Sequence, residues 1–134
     1  MEINEKYSFQ ELIEIVAKLR GDQGCPWDKK QTHESLIPCL MEESDEVKEA
    51  ICHKDMDNLC EELGDVLLQV VMHAQIASEN GSFNIEDVIT GVSRKMIRRH
   101  PHVFGDLKVE DEQQLLKNWE RIKQEERLEK ESPK

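Results

Sequence analysis

Residues 36–77 read LIPCLMEESDEVKEAICHKDMDNLCEELGDVLLQVVMHAQIA, and the rest of the chain is best read outward from them. Two short acidic clusters stand out: Glu42-Glu43-Ser44-Asp45-Glu46 and Glu61-Glu62-Leu63-Gly64-Asp65. Each holds two carboxylates three residues apart, Glu43 with Glu46 and Glu62 with Asp65. On a helix, residues i and i+3 share one face. Two such helices packed antiparallel bring four carboxylates into one space.

Acid clusters in a charged chain are commonly solvated faces. The surrounding pattern points elsewhere. Leu36, Leu40, Val47 and Ile51 form an apolar stripe, and Glu43 falls in its gap, where a core residue is expected. The run Val66-Leu67-Leu68-Gln69-Val70-Val71 is apolar almost all round. It predicts a buried helix one turn beyond Glu62 and Asp65. Unpaired buried carboxylates are costly or become protonated, and four together need counter-charge. A hard divalent cation supplies it. Gly64 costs about 1 kcal/mol relative to Ala inside a helix, so a crowded site that needs close approach is expected there.

Length and composition agree with a helical reading. The 134 residues suit one domain with one core. Hydrophobic residues make up 37%, aromatic residues 4% and charged residues 35%. Abundant Glu, Lys, Leu and Ile favour helices over strands. The net charge of −11 argues against general nucleic-acid binding, which needs a basic surface. Cys25, Cys39, Cys52 and Cys60 form no CxxC pair, which argues against a zinc or redox motif. With no signal peptide and no long apolar run, a soluble chain in the reducing cytoplasm, with no membrane partner, is expected.

Taken in order, Met1 to Tyr7 is expected to be loose. Ser8 or Tyr7 precedes a first helix over about 9–19, closed by Gly21. Residues 21–33 read as an ordered loop around Gly24-Cys25-Pro26-Trp27-Asp28. There Trp27 is expected to pin the loop to the bundle, with a pocket wall as its functional alternative. A second helix has candidate caps between Thr32 and Ser35. Pro38, tolerated only in a first turn, favours the later start. It runs to about Cys52. Asp55 or Asp57 caps a third helix reaching about Ser78. Asn84 caps a fourth, whose expected buried stripe is Ile85, Val88, Ile89, Val92 and Met96. Pro101 stops it. The last helix spans about 111–130 with a narrow stripe of Leu115, Leu116, Trp119 and Ile122. The extreme tail is expected to fray.

Residues 95–102 form the most basic segment of this acidic chain. Lys95 and Arg99 lie at i and i+4, with Arg98 beside them. Cations at a helix C-terminus are favoured by the dipole in any case. As a functional feature the segment reads as a phosphate clamp, because Arg offers forked donors.

No Ser-His-Asp or Cys-His constellation, Walker motif or GxGxxG is present, and the di-iron Glu-x-x-His pattern is absent. Ligation by carboxylates alone suits Mg2+, or Mn2+ in its place, more than zinc or iron. Magnesium is commonly shared with phosphates. Hydrolysis of a phosphoanhydride by activated water follows as the chemistry, with Glu42 available to accept the proton. These residues do not name a substrate.

The ordered set of motifs does carry a resemblance. Glu42-Glu43-x-x-Glu46, fifteen intervening residues and Glu62-x-x-Asp65 are flanked by Gly24-Cys25-Pro26-Trp27-Asp28 and Gln31-Thr32-His33. Arg98-Arg99-His100-Pro101-His102-Val103-Phe104 and Asn118-Trp119-Glu120 with Lys123 follow. Over about 9–127 the chain resembles the MazG-type nucleoside triphosphate pyrophosphohydrolases of the all-α NTP pyrophosphatase superfamily. The resemblance implies an all-α, four- to five-helix bundle that dimerises into a larger helical assembly. It implies cleavage of a nucleoside triphosphate between the α- and β-phosphates, giving a monophosphate and pyrophosphate. It implies Mg2+ held by Glu43, Glu46, Glu62 and Asp65, with Glu42 as the water-activating base. Lys95 and Arg99 would then hold phosphates, and Trp119 and Lys123 would lie at the nucleotide. Better-known members carry two such domains in tandem. Here a single domain over 1–134 is expected, with its core at about 8–127. The alternative from another class is a non-catalytic acidic helical interaction module with a structural cation site.

Overall fold

A computed structural model describes residues 3–131 of the chain. The expectations for Met1, Glu2 and residues 132–134 lie outside the described residues. The elements are α1 (Phe9–Leu19), α2 (Pro26–Lys30), α3 (Ile37–Cys52), α4 (Met56–Glu79), α5 (Ile85–Arg99), α6 (Pro101–Phe104) and α7 (Glu112–Glu131). No strand occurs among the described residues, so the fold is all-α. The chain divides into two compact units, one ending at Ile85 and the other beginning at Glu86.

In the first unit, α4 packs against α3 and α1. The core consists of Val16 from α1, Leu36, and Val71, Met72 and Ile76 from α4. Leu12, Ile13, Leu68 and Ile85 pack around it. Truncating Met72 or Ile76 to Ala costs about 2–5 kcal/mol in such a setting.

Local chemistry sets the helix ends. Ser8 and Glu11 form a capping box: the Glu11 amide donates to Ser8 Oγ and the Ser8 amide donates to Glu11 Oε1, both at 3.1 Å. Asp55 caps α4 by accepting from the Asn58 amide at 3.1 Å. The three-residue connection between α3 and α4 forces them to run antiparallel. It closes as a Schellman motif, with the Lys54 amide on the Ile51 carbonyl and the Asp55 amide on the Ala50 carbonyl, both at 3.1 Å. Lys54 sits at φ 56, where glycine is the usual occupant. The same motif ends α4, and there Gly81 takes the left-handed position at φ 73.

Arg20 locks the end of α1 to the following loop. Its Nε and Nη2 donate to the two carboxylate oxygens of Glu79 at 2.9 and 3.0 Å. Its Nη1 donates to the carbonyls of Asp28 and Gln31. The Arg20 side chain is buried, and its hydrogen bonds hold the Glu79 carboxyl below the usual range. Gly24 lies so close to α1 that an added Cβ would meet the Leu19 carbonyl oxygen at 2.1 Å. Only glycine admits that approach.

Four expectations are corrected. Thr32 and Ser35 do not cap α3. They cap each other, the Thr32 amide donating to Ser35 Oγ at 2.8 Å and the Ser35 amide to Thr32 Oγ1 at 3.0 Å. Pro38 has no amide to give the Glu34 carbonyl, which accepts instead from Ile37 in a tighter turn. Helix α3 therefore begins at Ile37. Trp27, carried on α2, is 58% exposed and pins nothing. Helix α4 is not buried all round: Leu63, Leu67 and Val70 are exposed while the polar Gln69 is buried. Ile89, Val92 and Met96 of the expected α5 stripe are exposed as well.

Candidate metal centre and basic helix end

The hairpin of α3 and α4 builds the acidic centre. Glu43 and Asp65 are equally far from Lys54 along the chain, and so are Glu46 and Glu62. Antiparallel packing about that turn therefore sets the two pairs against each other. One carboxylate oxygen from each of Glu43, Glu46, Glu62 and Asp65 lies within 4.8 Å of all the others. All four side chains are half-buried. Oε2 of Glu43 and Oε2 of Glu62 are buried with no hydrogen-bond partner among the described residues.

The electrostatics follow from that crowding. A hydrogen bond with Glu46, loss of solvation and the charges of Glu46 and Asp65 raise the Glu62 carboxyl to about 7. Burial, then the charges of Asp65 and Glu46, push the Glu43 carboxyl up too. Orphaned buried oxygens and mutually repelled carboxylates are what a hard divalent cation relieves, so the residues present fit such an ion. Glu42 is exposed and lies outside the four. It precedes Glu46 by one turn on α3 and so borders the cluster. The close approach expected at Gly64 is absent: an added Cβ would meet nothing within 4 Å.

The remaining candidate residues belong to the second unit. Lys95 is half-buried on α5, one turn before Arg99. Arg99 Nη2 donates to Glu126 Oε2 at 3.1 Å, and Arg98 Nε donates to Glu126 Oε1 at 2.7 Å. Trp119 is half-buried on α7. Its ring meets His100 edge-on at 5.3 Å, and Lys123 Nζ lies 5.7 Å from its centroid, in cation–π range. Trp119 Nε1 and His102 Nδ1 are buried with no hydrogen-bond partner among the described residues.

The family model of the MazG nucleotide pyrophosphohydrolase domain matches residues 31–104, which span the whole carboxylate hairpin and the basic end of α5. The chain belongs to the MazG family. A Bacillus subtilis (strain 168) relative, described as uncharacterized protein YabN, is 56% identical over 94% of this chain and 26% of its own length. A Thermotoga maritima protein, nucleoside triphosphate pyrophosphohydrolase/pyrophosphatase MazG, is 57% identical over 92% of this chain and 47% of its own. The crystal structure of a mazG-related protein from Thermotoga maritima matches with a TM-score of 0.71 at 33% identity, covering 86% of this chain and 98% of that one. The chain spans less than half the length of these two curated relatives.

Within this MazG domain, two features escaped the sequence reading. His33, in the turn before α3, and His73, on α4, stack with centroids 5.0 Å apart and share an Nδ1···Nδ1 hydrogen bond of 2.7 Å. One ring must donate and the other accept, so the two cannot both be cationic. Burial and the neighbouring His33 push His73 below the ordinary imidazole range. Forty residues separate the two, and no local periodicity links them. The other feature is Glu126, hidden in a helix so charged that each acid reads as solvated.

Proposed function

We propose that the chain is a Mg2+-dependent nucleoside triphosphate pyrophosphohydrolase that cleaves NTPs or dNTPs, non-canonical ones included, between the α- and β-phosphates. The products are a nucleoside monophosphate and pyrophosphate. The observation that carries this reading is the four-carboxylate centre with two orphaned oxygens, in a member of a family described as nucleotide pyrophosphohydrolases. Glu43, Glu46, Glu62 and Asp65 would hold Mg2+, with Mn2+ as a substitute. When bound, the ion supplies positive charge for phosphate oxygens and acidifies water.

The protein's own groups complete the chemistry. Glu42 accepts the proton of the attacking water, a task that an exposed carboxylate bordering the cluster can perform without abandoning a ligand role. Lys95 and Arg99 hold the phosphate chain against its own repulsion. Trp119 presents a ring for base stacking, and Lys123 adds a cation beside it. The whole span acts as one domain with its core at about 8–127.

The same reading extends to assembly and compartment. Leu63, Leu67 and Val70, at i, i+4 and i+7, form an exposed apolar stripe on a helix that buries Gln69. A second copy of the chain covers it in a homodimer. Among the described residues no helix is long and apolar enough to cross a membrane, and all four cysteines are free, which supports a cytoplasmic enzyme.

Ion-exchange analysis of products from a panel of NTPs and dNTPs with Mg2+ tests the reaction, with Glu43→Ala as control. Monophosphate plus pyrophosphate, absent in the control, is expected. Diphosphate plus phosphate would refute the cleavage position. No product from any nucleotide would favour the non-catalytic interaction module.

A further inference from the structure

Arg98 and Arg99 are adjacent on α5, so their side chains leave the helix about 100° apart. One carboxylate nevertheless gathers both. Glu126 Oε1 accepts from Arg98 Nε at 2.7 Å and from Arg99 Nε at 3.4 Å, while Oε2 accepts from Arg99 Nη2 at 3.1 Å. The Glu126 side chain is 13% exposed and that of Arg99 18%. A simple response to the helix dipole would leave the arginines spread in solvent, so it does not explain this contact.

Two guanidinium groups share one carboxylate, and the cavity beside Arg98 is lined also by Arg121, Glu125 and Glu129. The contact uses Arg98 Nε and the Nε–Nη2 edge of Arg99. Both Nη groups of Arg98 and Nη1 of Arg99 lie outside it. Glu126 also continues the face of α7 that carries Trp119 and Lys123, at i, i+4 and i+7. The two arginines hold its carboxyl down at about 2, so it remains an anionic anchor at any working pH.

We propose that Glu126 is the positioning residue of the basic helix end, presetting the Arg98–Arg99 guanidinium pair to receive a phosphate chain. This rests on the phosphate-holding role given to Arg99 above. An arginine already held in place loses little further freedom on binding, whereas a free one must be ordered by the ligand. Pure charge bookkeeping makes the opposite forecast, because removing an anion beside two arginines should attract phosphate more strongly.

Calorimetric titration of the full chain with inorganic tripolyphosphate separates the two. Glu126→Gln keeps the side chain's shape and removes its charge. Affinity should fall about tenfold, with KM for the best nucleotide of the panel rising by a similar factor and kcat nearly unchanged. Arg99→Lys, which keeps the charge and loses the fork, should fall comparably. In an Arg99→Ala background, Glu126→Gln should cause little further loss. Unchanged or tighter binding by Glu126→Gln, or losses that simply add in the double variant, would overturn the positioning role. So would a lowered Tm with unaltered affinity, the signature of a merely structural ion pair. A wild-type chain that neither binds tripolyphosphate nor hydrolyses any nucleotide would instead remove the phosphate-holding role itself, and this inference with it.

Discussion

Glu62 shows how the acidic centre couples protons, metal and stability. Its carboxyl stands at about 7, above the ordinary 4.5, because Glu46 and Asp65 crowd it. The folded, metal-free protein therefore binds that proton more tightly than the unfolded chain does. Stability from this group is fully present below about pH 4.5 and is lost as pH rises towards 7. A divalent cation takes the place of the proton, so metal and proton compete. The rise in Tm produced by Mg2+ should be small near pH 5 and large near pH 8, as read by calorimetry at the two values. A shift independent of pH would break the link between the cluster and the ion. The same crowding predicts that Asp65→Ala abolishes turnover while helicity by circular dichroism is kept, since one fewer like charge does not weaken the helices. Persistent turnover in that variant would remove Asp65 from the site.

At the scale of the element, the turn between α3 and α4 is what brings the carboxylates together. Lys54 holds the left-handed position of its Schellman motif, a conformation that costs a non-glycine residue about 1–2 kcal/mol. Glycine removes that strain and adds some unfolded-chain entropy. Lys54→Gly should stabilise the protein by about 0.5–1 kcal/mol, raising Tm by a few degrees, with turnover unchanged. A fall in Tm would mean that the Lys54 side chain carries a contact worth more than the strain. Both ends of α4 were legible locally, because Asp55 is a strong N-cap and Gly81 a natural C-terminal glycine. The start of α3 was not. Thr32 and Ser35 have the composition of caps, but Pro38 denies the preceding turn its helical hydrogen bond.

For the molecule as a whole, the exposed Leu63–Leu67–Val70 stripe bears on assembly. A homodimer should be seen by light scattering at micromolar concentration, and Leu67→Asp should shift it to monomer while the fold persists. A monomeric wild-type protein would sink the dimer. That stripe also marks where sequence reading reaches its limit. Periodicity, capping residues and the i, i+3 acid pairs determined an all-α chain with two acidic helices facing each other. Those signals are local, and a helix expresses them within a few turns. The motif set carried the family. Only the tertiary structure decided which apolar residues are buried, because a run that is apolar all round does not say which face meets α1 and which is left open. It also decided that Trp27 stays exposed and that His33 meets His73 across forty residues. Glu126 likewise became visible only once the chain had brought α7 to the end of α5. Each of those pairings depends on chain reversal at turns, which sets distances that spacing along the sequence does not encode.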